Sequence, residues 1–223
     1  MKKYYLFEMN MKSINILAVI LLLILFIVTP IINPSYSMID IDLGLFLITV
    51  IPYFILHEII HSIAYVLWGA DFKKITYGAH LEKGILCCLC KQNISKRNVL
   101  ASLLAPFIVI GAITYILGMV TSNNLLILLS IANMSGSAGD LVMFYSLIHI
   151  KNFEFSEYDN PLAFGLYTSE DLSRKKRWGL NYIGEAHQLE KTVTRKVTIS
   201  KPSLIFFLII LLLLIFKFIK YII

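Results

Sequence analysis

The apolar run from Leu43 to Trp68 carries His57-Glu58-Ile59-Ile60-His61 in a single helical turn. A run of that length reads as a membrane-spanning helix, so the chain must satisfy its backbone polar groups internally along it. Residues four apart share a helical face, so His57 and His61 can hold one ion together. Glu58 points about 100° round the helix, where it reaches a water at that ion without being a ligand. The competing reading is a chance pattern, with two histidines satisfied inside a core. At membrane depth each ionisable residue costs roughly 2.5–3.5 kcal/mol even on a lenient insertion scale, which weighs against decoration.

Composition supports the membrane setting. The chain has 223 residues, 58% of them hydrophobic and 15% charged, and a mean hydropathy of +0.77. The net charge of +6 would suit nucleic acid, but the basic residues flank apolar runs, as cytoplasmic loops do. Three cysteines, clustered at Cys87, Cys88 and Cys90, are too few for a disulfide framework.

The expected fold class is an all-α polytopic membrane protein of about five helices. Residues 1–150 form its membrane core, with spans at 14–32, 43–68, 99–120 and 125–150; 151–201 is a cytoplasmic segment; 202–223 is a last transmembrane helix. Met1–Lys12 reads as a short basic head. A cleaved signal peptide competes for the first run, but the run has spanning length and no A-x-A site follows it. The second span is about 39 Å long at 1.5 Å per residue, so it tilts or kinks, with Pro52 as the kink. Ile75–Leu81 and Ile85–Cys87, around Glu82-Lys83-Gly84, read as a small cytoplasmic β-hairpin. Thr168-Ser169-Glu170-Asp171 looks like a helix start, Arg174–Arg177 lies on the helix after it, and Gly179 would stop that helix. Thr192–Ile199 alternates like a strand. Lys and Arg gather in the head, in 69–97 and in 151–201, and are missing from 33–42 and 121–124, which places the amino terminus in the cytoplasm. The expected location is therefore the cytoplasmic membrane.

Two histidines leave zinc under-coordinated, because a catalytic site has three protein ligands and a water. Asp140 is the remaining candidate within a span. The second and fourth spans run in parallel, and helix rise puts His61 about 12 Å, Asp140 about 15 Å and His57 about 18 Å above their cytoplasmic ends. The small residues Ser135–Gly139 let the two helices approach closely. Asn133, two turns before Asp140 on the same face, is placed to orient a substrate carbonyl or a ligand. An ion pair for Asp140 finds no Lys or Arg at matching depth, whereas a proton relay through it remains open. Cys87-x-x-Cys90 is half of a small zinc-site pattern, with reduced structural thiols as the alternative.

H-E-I-I-H in one span and N-M-S-G-S-A-G-D in a later one resemble the bacterial membrane family described as "putative zincin peptidase", and more distantly the site-2 intramembrane metalloproteases. Leu104-Ala105-Pro106-Phe107 fits the former as well. The resemblance covers about Leu43 to Ile150 and implies a membrane-embedded peptidase with Zn²⁺ on His57, His61 and Asp140. The site-2 pattern has a Pro between its Asn and Asp and a Gly after the Asp; here there is no such Pro, and Leu141 follows Asp140. Glu58 is the expected general base, and an extended substrate would add as a strand to the hairpin. The expected partners are a membrane protein or peptide substrate and the lipid bilayer, without nucleic acid. Two other classes compete: a transporter or proton relay through His57, Glu58, His61 and Asp140, and an inactive membrane-binding protein.

Overall fold

A computed structural model describes residues 3–37, 41–80, 85–157, 162–173 and 177–185. The first element is a strand, β1 (Lys3–Met9), followed at once by α1 (Met11–Ile32). Asn10 joins them: its side chain accepts from the Lys12 and Ser13 N–H groups, two of the donors that a helix start leaves unpaired. Asp42 caps α2 (Leu43–Leu67) in the same way through the Leu45 N–H. Next come β2 (Ile75–His80), β3 (Ile85–Cys90) and β4 (Ile94–Ser95). α3 (Lys96–Pro106), a π-helical segment (Phe107–Ala112) and α4 (Ile113–Val120) then run on as one long helix. α5 (Asn124–Gly136) and α6 (Ala138–Ile148) follow, then β5 (Glu154–Glu157), β6 (Ala163–Thr168) and β7 (Leu180–Glu185).

Three helices are long and apolar enough to cross a membrane: Met11–Ile32, Leu43–Leu67 and Lys96–Val120. The pair α5–α6, bent by 46°, makes a fourth if it forms one broken span. The strand expected at 192–199 and the last span at 204–223 lie outside the described residues.

The all-α expectation is overturned by a five-stranded antiparallel sheet in the order β4-β5-β6-β1-β7. One of its inner strands, β1 between β6 and β7, is the segment read from its lysines as a basic head. Tyr5 pairs with Leu166 on one side and Glu185 on the other, partners that no local pattern reveals. Burial of Tyr5 and Phe7 (0% and 1% exposed) stabilises the strand. Phe7 and Phe155 both stack on Phe164, at 6.0 and 5.4 Å between centroids. This sheet packs on the ends of the long apolar helices in one core with Val99, Leu147 and Ile150. Lys96 fastens the junction by donating to the Ile148 and Ile150 carbonyls at the end of α6, at 2.8 and 2.5 Å.

The helix expected after Thr168 is absent among the described residues. Thr168 ends β6, and its hydroxyl accepts the Glu170 N–H in a local turn, so the apparent capping signal belongs to a strand end. Gly179 sits in the turn before β7 with φ 79°, and its carbonyl accepts the Asn10 N–H. β2 and β3 pair separately as a two-stranded antiparallel sheet at the position of the expected hairpin.

Candidate metal centre

His57, Glu58 and His61 lie on α2, and their potential ligand atoms fall within 4.8 Å of one another. Asp140 joins them from the first turn of α6, where its charge suits the helix start. The His57 Nε2 stands 3.1 Å from Asp140 Oδ2, the His61 Nε2 3.5 Å from the same oxygen, and the two Nε2 atoms 3.2 Å apart.

The other ring nitrogens decide what these three atoms are. Nδ1 of His61 lies 2.9 Å from the Ser102 carbonyl, which can only accept. Nδ1 of His57 lies 2.9 Å from Asn133 Oδ1, because the Asn133 amide donates its NH2 to the Pro106 carbonyl. Both Nδ1 atoms therefore carry hydrogen, so each histidine, when neutral, presents its Nε2 lone pair to the other and to a carboxylate. Such a cluster needs positive charge at its centre. Donors around a tetrahedral ion with bonds of 2.0–2.2 Å stand roughly 3.3–3.6 Å apart, and the observed triangle approaches that size. The residues fit a zinc ion, with Nδ1 partners of the kind that fix metal-binding imidazoles.

Local sequence explains how the carbonyls become available. A helix carbonyl normally accepts from the N–H four residues on, and Pro106 has none to offer Ser102. The π-helical segment then shifts the ladder, so the Ile113 N–H bonds to the Ile108 carbonyl. The break at Ser137 lets one span hold both ends of the His57 ring, with Asn133 at Nδ1 and Asp140 at Nε2. Gly136 permits the approach, since a β-carbon there would stand 2.8 Å from the Phe54 ring.

Glu58 reaches toward β3, where the Cys88 backbone N–H donates to its carboxylate. The register turns that N–H away from β2. The Lys91 N–H bonds the Lys74 carbonyl at 2.8 Å, so the pairs Thr76–Leu89 and Gly78–Cys87 also bond across the hairpin. Leu86, Cys88 and Cys90 then aim their backbone groups away from β2. Ser62, one turn after Glu58, bonds the Tyr77 hydroxyl and lies 3.3 Å from the Cys88 thiol, tying the hairpin to α2. Burial pushes the Tyr77 phenol above its ordinary pKa, so it remains a hydrogen-bond donor.

A cavity of about 480 Å³ opens on His57, Glu58, His61 and Asp140. Much of its wall is apolar, including Phe54, Leu86, Leu103, Met143 and Phe164. Asn133 is fully buried and is not part of that wall. Cys87 and Cys90 are three apart on β3 and face opposite ways, so they do not form a shared site; none of the three cysteines is in a disulfide. His149 pairs edge-on with the Tyr145 ring. Sequence reading missed Ser102, Pro106 as the cause of its free carbonyl, and the Cys88 N–H. The proline four residues after Ser102 was the one available signal.

Residues 50–153 match the family model described as "Putative zincin peptidase". The resemblance read from the His57–His61 and Asn133–Asp140 motifs holds over this stretch. No curated protein matches the chain, and no solved structure does.

Proposed function

We propose that the chain is a membrane-embedded zinc metallopeptidase of the cytoplasmic membrane, with its amino terminus in the cytoplasm. The family match supports the peptidase class. The observation that carries the site is the triangle of His57 Nε2, His61 Nε2 and Asp140 Oδ2, with each Nδ1 tied to an acceptor. These three residues would hold Zn²⁺, which when bound acidifies a water and polarises a carbonyl oxygen. Glu58 takes the proton of the attacking water and returns it to the leaving amine, so that one N–H forms for the C–N bond that breaks. The Cys88 N–H fixes the Glu58 carboxylate facing the cavity. An extended substrate segment adds to the hairpin as a strand and binds by backbone hydrogen bonds. Asn133 orients His57 and does not touch substrate.

The dead-end acceptors at both Nδ1 atoms support hydrolysis over a proton relay. A carbonyl and an amide oxygen cannot pass a proton onward. Trp68, half exposed at the end of α2 with Arg97 4.8 Å above its ring, suits a headgroup boundary above the site.

The test compares new membrane-protein termini in cells carrying wild type or Glu58→Gln. A fragment found only with wild type is expected and would identify the substrate. Identical termini with bound zinc in both would remove the peptidase reading.

A further inference from the structure

Gly139 has no local reason to be glycine. It is the second residue of α6, next to Asp140, and its φ is not in the left-handed region. A β-carbon at Gly139 would meet nothing within 4 Å. The contrast with two other glycines is direct. Gly136 is pressed by the Phe54 ring, and Gly179 combines φ 79° with a Val142 methyl 2.3 Å from where a β-carbon would lie. Glycine inside a helix is destabilising relative to alanine, and at Gly139 neither backbone conformation nor packing compensates.

The space it leaves is the cavity, which Gly139 lines together with Asp140 and Met143. Met143 is one turn on from Gly139 and shares its face of α6. Its flexible thioether adapts to shapes that a branched side chain would reject. Phe54 is the stiffer aromatic on the α2 side of the same cavity. An anionic side chain placed among these walls, beside the Glu58 and Asp140 carboxylates, would lose its water without gaining a partner, and a small one would leave surface uncovered.

We propose that the space at Gly139 is the subsite for a bulky apolar side chain adjoining the bond cut beside Asp140, with Met143 and Phe54 as its walls. The inference rests on the peptidase reading of the cluster. It makes Gly139 a specificity-determining residue rather than a packing one.

The experiment uses the full chain in lipid nanodiscs with Zn²⁺ and two peptidyl hydroxamates, which chelate metal. They differ only in the side chain beside the chelating group, leucine in one and alanine in the other. Direct binding is measured, with no turnover. The leucyl compound is expected to bind wild type at least about tenfold more tightly. Gly139→Leu should abolish that preference while keeping affinity for the alanyl compound. Gly139→Ala should narrow the preference without lowering Tm, since its methyl meets no neighbour. Equal binding of both compounds to wild type overturns the subsite and leaves the peptidase reading standing. So does an unchanged leucyl preference in Gly139→Leu, or in Gly139→Ala should the larger variant fail to fold. If neither compound binds a chain that holds zinc, the peptidase reading and the subsite fall together.

Discussion

The side chain of Asn133 stands 2.9 Å from His57 through its oxygen, while its NH2 donates to the Pro106 carbonyl at 3.2 Å. The second bond settles the first, because an amide that donates with its nitrogen must face His57 with its acceptor. His57 therefore keeps its hydrogen on Nδ1 and, when neutral, turns the Nε2 lone pair toward Asp140. Replacing Asn133 with Ala should weaken zinc binding by about 10–100-fold, the usual cost of losing such a partner. Asn133→Asp, which keeps an acceptor, should lose less. Competition with a fluorescent chelator measures both, and equal affinities for wild type and Asn133→Ala would refute the assignment.

The ligand triangle and the base should separate cleanly. His57→Ala, His61→Ala and Asp140→Ala are each expected to purify without stoichiometric zinc. Glu58→Gln should retain the metal and lose proteolysis. Treatment of wild type with a strong chelator should abolish activity, and added Zn²⁺ should restore it. Metal content by atomic absorption reads the first comparison. An Asp140→Ala protein that still holds a full equivalent would displace Asp140 from the site.

Pro106 is predicted to act at a distance of one helical turn. Pro106→Ala supplies an N–H that can bond the Ser102 carbonyl and compete with His61 Nδ1. The variant should gain helix stability while its zinc affinity falls. Thermal unfolding and chelator competition on the same preparation reveal the opposed signs. A rise in both quantities would show that the proline serves only the helix path.

Gly179 and Lys96 hold the sheet to the membrane helices. Gly179→Ala forces a side chain into a left-handed turn and against Val142, for about 1–3 kcal/mol of destabilisation. Lys96→Met removes two charge-assisted bonds to the end of α6, worth about 1–3 kcal/mol together. Both losses should appear in denaturation of the purified protein. Unchanged midpoints would mean that the sheet and the helices are joined elsewhere.

Much of this protein was legible in its residues because the deciding interactions are local. The apolar runs specify helices wherever the bilayer removes water as a partner for the backbone. The four-residue spacing of His57 and His61 specifies a shared face on any helix. The depth argument paired Asp140 with them, and the structure brings it to 3.1 Å from His57. The sheet was illegible for the opposite reason. Lys3–Met9 gains its structure from strands more than 150 residues away, and its lysines carry no trace of them. Thr168–Asp171 shows the same limit, since a helix-cap pattern and a strand-end turn use identical side chains.

By itself the sequence determined the long apolar helices, the His57–Glu58–His61 face and Asp140 as the acid that could reach it, because helix geometry and apolar patterning impose them. Only the tertiary structure decided that Nδ1 of each histidine is held by an acceptor and Nε2 is turned to the cluster. That arrangement depends on which acceptor each Nδ1 meets, and Ser102 and Asn133 come from other helices. Likewise, only packing could show that Glu58 lies against β3, since Cys88 is brought to it by a hairpin folding back on α2.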